Sequence, residues 1–115
     1  MAAIVVGTLL ACTQQTARRD VTPERSTADE ALRAQIACGE QHVSEVDDGI
    51  SDASTVALAL ALRCHREYVA TGEAWGAAYL DNDNQRRIFR KRWSGTNERT
   101  EAFLPIVMKY RTAGK

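Results

Sequence analysis

Two cysteines, Cys38 and Cys64, stand on either side of an Asp-Asp-Gly turn and limit the folds open to this chain. The residues between them divide into two helix-forming arms around residues 47–49, with one thiol on each arm. If the two thiols form a disulfide, the arms must lie close together and antiparallel, because a disulfide needs Cα atoms about 4.4–6.8 Å apart. The remaining helices would then pack on this hairpin. We therefore predict an all-α fold, a small helical bundle built on a disulfide-stapled antiparallel helical hairpin.

The apolar spacing of the first arm predicts a helix over residues 28–46. Apolar residues and one glycine recur every three or four positions along a single helical face; they are Leu32, Ile36, Gly39, Val43, Val46 and Ile50. Thr27 and Glu30 fit a capping box at the start of this helix. Gly49 can take the positive φ that ends helices, so the turn follows there.

The second arm contains VALALAL at residues 56–62, which alternates as a strand would. Its alanine content and the helical pattern that continues to Val69 favour a helix instead, capped by Ser51 or Asp52. We expect Gly72 to break or bend this helix, with a short helical segment over residues 73–80 after it.

Three chemical states are open to the cysteine pair. A disulfide between residues 38 and 64 would stabilise the fold by about 3.5 kcal/mol in the chain-entropy model. Two unbonded buried thiols are the second state. The third is a zinc site with two Cys and two His ligands; the set would be Cys38, His42, Cys64 and His65. Adjacent helical residues point about 100° apart, which disfavours two neighbouring ligands on one ion. The disulfide is our prediction, with no metal or cofactor expected.

Residues 2–11 form an uncharged apolar run of about the length of a signal-peptide core. It ends in Leu9-Leu10-Ala11-Cys12, which resembles the lipobox of bacterial lipoproteins. The resemblance implies that residues 1–11 are a signal peptide and that Cys12 is the lipidated first residue of the mature protein, held to the membrane by its acyl chains. The alternative is a cytosolic protein in which residues 2–11 are a buried segment and Cys12 is an inert core thiol.

Residues 13–26 contain few apolar side chains and lack helical periodicity. We therefore assign residues 12–26 to the lipidated cysteine and a flexible tether, and residues 27–115 to a small helical domain. A last helix is predicted from about Thr96 to Tyr110, facing the core with Phe103, Leu104, Val107 and Tyr110. Pro105 removes a backbone donor there and is expected to kink or split this helix.

The segment QRRIFRKRW (85–93) joins five basic residues to Ile88, Phe89 and Trp93. Such a mixture suits anionic lipid headgroups or single-stranded nucleic acid. The candidate contacts with an anionic surface are Arg86, Arg87, Arg90, Lys91, Arg92 and Trp93. The alternative is a helix with its three large apolar side chains turned inward and its arginines solvated or paired with the acidic half of the chain. Residues 1–64 carry five Lys+Arg against nine Asp+Glu (−4), and residues 65–115 carry ten against six (+4).

Catalytic signatures are absent from the sequence: it has no nucleophile elbow, phosphate loop, H-E-x-x-H or dinucleotide fingerprint. The formal net charge of zero argues against bulk nucleic-acid binding. These features favour a small exported lipoprotein of the bacterial cell envelope, lipid-anchored and facing the periplasm, that acts as a non-catalytic interaction or accessory module on an envelope protein. The alternative is a cytosolic helical adaptor or nucleic-acid-binding protein that uses residues 85–93.

Overall fold

The computed structural model describes residues 20–114, which form five α-helices and, within that range, no β-strand. The helices are α1 (Thr22–Val46), α2 (Ala53–Arg63), α3 (His65–Tyr79), α4 (Asp83–Trp93) and α5 (Thr96–Ala113). The predicted all-α bundle is therefore confirmed. The predicted signal peptide and Cys12 lie outside the described residues, as does most of the predicted tether. No helix between residues 20 and 114 combines the length and the hydropathy needed to span a bilayer.

The stapled hairpin consists of α1 on one side and α2 followed by α3 on the other. A disulfide joins Cys38 to Cys64, with their Cα atoms 6.0 Å apart. The contacts run in opposite directions along the two arms: Glu45 with Arg63, Cys38 with Cys64, Ala31 with Thr71, and Arg25 with Tyr79. The predicted disulfide is confirmed. It also removes both thiolates that the alternative zinc site would have used.

The interruption of the second arm lies at Cys64 (φ −101°, ψ 30°) and not at Gly72, where we predicted it. It divides the arm into α2, which packs mainly on α5, and α3, which packs mainly on α1. Gly72 lies inside α3, and residues 73–79 continue the same helix. A glycine in a helix interior costs only about 1 kcal/mol relative to alanine, so the packing it permits outweighs its helix-breaking tendency.

Helix α1 begins at Thr22, several residues before the predicted start, so residues 22–26 belong to the helix. Pro23 stands in the first turn, where its missing N–H is not needed and its fixed φ favours the helix. Asp20 Oδ1 accepts a hydrogen bond from the Thr22 N–H at 2.9 Å. The Thr27 hydroxyl donates to the Pro23 carbonyl at 3.0 Å, so the predicted capping box at Thr27 was wrong.

Helix α5 continues through Pro105, where we expected a kink or a split. The Pro105 side chain is exposed, and the core residues Phe103 and Val107 hold the helix on either side of it. Tyr110 is 40% exposed and does not face the core as predicted. We infer that core contacts on both sides of the proline compensate for the lost hydrogen bond.

The core lies where α1, α2, α3 and α5 meet. Its largest fully buried side chains are Tyr68, Phe103, Leu60, Val107 and Cys64. The disulfide therefore crosses the core itself. The remaining core positions are small (Ala57 and Ala61, with Val43 and Val56), so neighbouring backbones approach closely.

The α1–α2 turn is fixed by aspartate side chains. Gly49 adopts φ 74°, as predicted for the residue that ends the helix region. Asp48 accepts hydrogen bonds from the Ile50 and Ser51 amides and from the Ser51 hydroxyl, at 2.9, 2.7 and 2.5 Å. These bonds, with the Ser51 hydroxyl contributing most, lower the pKa of Asp48 to about 2.

Asp47 ties this turn to the C-terminal helix. Its two carboxylate oxygens accept from Arg111 Nε and Nη2, both at 2.9 Å, and Arg111 Nη2 also donates to the Ser51 carbonyl at 2.6 Å. The Asp47 side chain is 2% exposed. Hydrogen bonding from Arg111, and then from the Gly49 amide, lowers the pKa of Asp47 below its ordinary value.

Acid is expected to destabilise the fold through these two aspartates. Because their folded-state pKa values lie below the unfolded ones, their contribution is complete above about pH 4 and is lost as the pH falls through the folded values, which for Asp48 is about 2. Thermal melts between about pH 7 and pH 2 should therefore show Asp47→Asn less stable than the wild type at neutral pH, with the Tm gap closing in acid. Asp29→Asn, at an exposed position of α1, is the control and should follow the wild-type curve. A constant gap for Asp47→Asn at every pH would contradict the assignment.

Candidate functional site

Helix α4 has an inner face, which holds it on α3, and an outer face, which is solvated. Its side chains at positions 86, 89, 90 and 93 follow helical spacing and make the contacts with α3. Those at positions 87, 88, 91 and 92 lie on the opposite side and are exposed. Asn82 begins the helix, accepting a hydrogen bond from the Gln85 amide at 2.9 Å.

An aromatic ladder beneath α4 supports the inner face. We use this name for six stacked or tilted rings that run from the surface into the core, in the order Tyr79, Trp75, Phe89, Trp93, Tyr68 and Phe103. Successive ring centroids are 4.9, 4.9, 5.6, 4.5 and 6.2 Å apart. Because the ladder joins α3, α4 and α5, it fixes the orientation of α4 on the bundle.

The closest contact of the ladder is between Tyr68 and Trp93. Their rings stack at an interplanar angle of 7°. The Tyr68 hydroxyl donates to the Trp93 carbonyl at 2.5 Å, and the Trp93 indole N–H donates to the Tyr68 carbonyl at 2.9 Å. Burial raises the pKa of Tyr68 to about 12, so the hydroxyl stays protonated as a donor.

Two of the predicted anionic-surface residues make contacts with α3 and the residue that follows it, Arg86 partly buried and Arg90 in an exposed ion pair. Arg86 Nη2 donates to the Leu80 carbonyl at 3.0 Å, and Arg86 Nε lies 3.4 Å from the Gly76 carbonyl, so this guanidinium caps the C-terminal end of α3. Arg90 Nε pairs with Glu73 at 3.1 Å. Trp93 also faces inward, in the aromatic ladder. These three residues therefore position α4.

The other three predicted residues, Arg87, Lys91 and Arg92, lie together on the outer face with Ile88. Ile88 is 59% exposed, so the alternative in which all three large apolar side chains of this segment turn inward is wrong for this residue. Arg87 Nη2 donates to Asn84 Oδ1 at 2.8 Å, within the same helix. We call the four residues Arg87, Ile88, Lys91 and Arg92 the basic face. It offers three positive charges around one apolar side chain, a composition that suits an anionic surface.

Hydrogen bonds lower the pKa values of three acidic residues at the α1–α2 turn and at the end of α1. The pKa values of Asp47 and Asp48 are lowered, as is that of Glu45, which is hydrogen-bonded to His42. A carboxylic acid that donates a proton in catalysis needs a shift in the opposite direction. His42 Nδ1 lies 3.0 Å from Glu45 Oε2, and His65 Nδ1 lies 3.0 Å from an Arg99 nitrogen.

Sequence reasoning missed the contact that sets the position of Trp93. A Cβ built on Gly72 would meet the indole ring, with Trp93 Nε1 2.5 Å away. The G-x-x-x-G spacing of Gly72 and Gly76 was a signal for close helix approach, but it is shared by many soluble helices. The partner on α4 has no local sequence signal at all.

Comparisons of the chain with protein-family models, with curated proteins and with solved structures found no match. Any function assigned to this protein therefore rests on its own residues.

Proposed function

We propose that this protein is a small exported lipoprotein, anchored to the bacterial envelope by acylated Cys12, that works as a non-catalytic interaction module facing the periplasm. The Cys38–Cys64 disulfide carries the proposal. Structural disulfides form and persist in oxidising compartments and are rare in the cytosol. The lipobox-like residues 9–12 precede the disulfide-bonded domain, which is the order expected of an anchored exported module.

The basic face is proposed to contact the anionic phospholipid headgroups of the membrane that holds the anchor. Arg87, Lys91 and Arg92 supply the charge, and Ile88 can enter the interfacial region. Each basic residue near an anionic bilayer contributes about 1 kcal/mol. A lipid anchor raises the local concentration of this face at the bilayer, so such modest contacts are sufficient to orient the domain.

Nucleic acid is a weaker fit to the same face. Binding of single strands depends on aromatic side chains on which bases can stack. Trp93 and Phe89, the aromatic residues of the basic segment, stack on Tyr68 and Trp75 within the aromatic ladder. The basic face therefore provides charge without a stacking platform, and this favours lipid over the cytosolic nucleic-acid-binding alternative.

Vesicle binding tests the lipid contact. The experiment uses the full chain carrying Cys12→Ala, which cannot be acylated. We expect it to bind vesicles that contain about 30 mol% anionic lipid at least tenfold more tightly than zwitterionic vesicles. The affinity for the anionic vesicles should fall strongly as salt is added. Reversal of two charges by Arg87→Glu and Lys91→Glu should abolish the difference. The control Arg33→Glu with Arg66→Glu changes the net charge equally at exposed positions of α1 and α3 and should retain most of it.

Equal loss in both double variants would mean that overall charge, and not the basic face, governs binding. Tighter, salt-dependent binding of single-stranded nucleic acid than of anionic vesicles would favour the cytosolic alternative.

A further inference from the structure

An apolar groove runs along the surface between α1 and α5. None of the four residues of the basic face lines it. It consists of two adjoining concavities of about 430 and 360 Å³ that share Ile36 and Ala102. Its apolar walls are formed by Leu32, Ile36, Val43, Pro105, Ile106 and Tyr110. Leu32, Ile36 and Tyr110 are 43%, 39% and 40% exposed, although the periodicity of α1 and α5 predicted that they face the core.

The groove exists because α5 meets α1 closely at one point and leaves the flanking apolar residues uncovered. A Cβ on Gly39 would lie 2.6 Å from Ile106 Cδ1 and 3.2 Å from Phe103 Cδ1, so the two helices are in contact there. Leu32 and Ile36 precede that contact on α1. The apolar stripe of α1 is therefore longer than the surface that α5 covers.

The rim of the groove is predominantly acidic. Glu40, Glu98 and Glu101 border it, against a single basic residue, Lys109. In the described part of the chain, Glu40 and Glu101 have no ion-pair partner. Their charges are therefore free to meet a positively charged ligand.

A buried acceptor at the groove has no partner among residues 20–114. Gln35 is 3% exposed and lines the smaller concavity, and its Oε1 makes no hydrogen bond within that part of the chain. Buried polar atoms without a partner are uncommon in native proteins, because each has lost its hydrogen bonds to water without replacing them. A ligand that supplies an N–H or O–H at this place would replace the lost hydrogen bond.

We infer that this groove binds a cationic amphipathic helix of another protein. An apolar stripe at i, i+3, i+4 and i+7 would fill the groove, and flanking Lys or Arg side chains would meet the acidic rim. A second copy of this chain is a poorer occupant. Its exposed basic helix, α4, offers one large apolar side chain on its outer face, Ile88, which is too little to fill both concavities.

A designed peptide pair tests the groove on the full chain. The first peptide is an 18-residue helix with leucines at the stripe positions and lysines elsewhere, and the second has glutamate in place of every lysine. We expect saturable one-to-one binding of the lysine peptide by fluorescence anisotropy, and at least tenfold weaker binding of the glutamate peptide. Amide chemical-shift changes should concentrate at Ile36, Ala102 and Ile106.

Rim and wall variants locate the contact. Glu40→Lys with Glu101→Lys should weaken binding of the lysine peptide at least tenfold, and Ile36→Ala several-fold. Glu30→Lys with Asp81→Lys makes the same change in net charge at exposed positions that do not line the groove, so it should change affinity less than threefold. Circular dichroism and thermal melts establish that each variant is folded.

Three results would overturn the inference. The first is equal affinity for the two peptides, and the second is an equal loss of lysine-peptide affinity in the rim variant and in its control. The third is a dimer, detected by sedimentation, that Glu40→Lys with Glu101→Lys dissociates. The test is separate from that of the basic face. Arg87→Glu with Lys91→Glu should leave peptide affinity within threefold, and the rim variant should leave vesicle binding intact.

Discussion

Removal of the disulfide by Cys38→Ala with Cys64→Ala is expected to lower the free energy of unfolding by about 3.5 kcal/mol, as the chain-entropy model gives for a loop of this length. The loop spans a sequence separation of 26 residues. For a domain of this size the loss corresponds to a Tm lower by about 15–25 °C. Cys64 is fully buried, so alanine is preferred over serine because a buried hydroxyl would add a cost of its own. Thermal unfolding followed by circular dichroism measures the effect.

The position of the bond explains why the effect should be large. It joins the middle of α1 to the interruption between α2 and α3, where the second arm changes its main packing partner from α5 to α1. Reductant should lower the wild-type Tm by a similar amount and leave the double variant unchanged. Cys12→Ala is the matched control, since Cys12 takes no part in the bond, and its Tm should equal that of the wild type. An unchanged Tm in the double variant would show that the bundle does not depend on the bond.

Alanine at Gly72 is expected to destabilise the protein by about 1–3 kcal/mol, the range for overpacked cores. The new methyl group would meet the Trp93 ring, which is also held by stacking on Tyr68 at a centroid distance of 4.5 Å. The ring cannot retreat without breaking the Trp93 N–H bond to the Tyr68 carbonyl. Chemical denaturation gives the free energy, and a shift in tryptophan fluorescence should report the displaced indole.

Gly76→Ala in the same helix is the matched control for this prediction. A Cβ at Gly76 would lie 3.9 Å from Phe89 Cδ1 and 4.0 Å from Arg86 Cγ, which are ordinary contacts. Because alanine is the better helix former, this variant should gain about 0.5–1 kcal/mol. The two substitutions are chemically identical and should have opposite signs. If Gly72→Ala also stabilised the protein, the close packing of Trp93 on α3 would be wrong.

Local signals in the sequence were sufficient to predict the hairpin. The apolar periodicity of α1 and the turn glycine concern residues that are neighbours along the chain or on one helix face, and the pairing of the cysteines followed from one thiol on each arm of that hairpin. The disulfide and the positive φ of Gly49 are both present in the structure. The predicted break at Gly72 was wrong, and α5 is not split at Pro105, because tertiary packing outweighed a local preference of a few kcal/mol or less at both places.

Contacts between distant parts of the chain carried no readable signal. Asp47 and Arg111 are 64 positions apart, and nothing in either local sequence identifies the other as its partner. The same holds for Gly72 and Trp93. As a result, the sequence identified residues 85–93 as basic and aromatic. Only the structure shows which of these side chains pack on the bundle and which are solvated. The groove could not be predicted from the sequence for a related reason. The apolar stripe of α1 extends beyond the surface that α5 covers, and only the structure shows where that cover ends.

The aromatic ladder connects the fold to the proposed lipid contact. Trp93 and Phe89 fix one side of α4 on the bundle, and the helical period then places Arg87, Lys91 and Arg92 on the other side. A rigid support keeps the three charges on one surface, so that all can meet the same bilayer. The anchor and the basic face would then cooperate by effective concentration without a further partner.

The intact mass of the protein, purified from its native host without reductant, tests the central proposal most directly. We predict a chain that begins at Cys12, carries the added mass of a diacylglyceryl group with or without a further acyl chain, and is two hydrogens lighter than the fully reduced form. A chain that retains residues 1–11, carries no lipid and has free thiols at Cys38 and Cys64 would contradict both the envelope location and the oxidised hairpin.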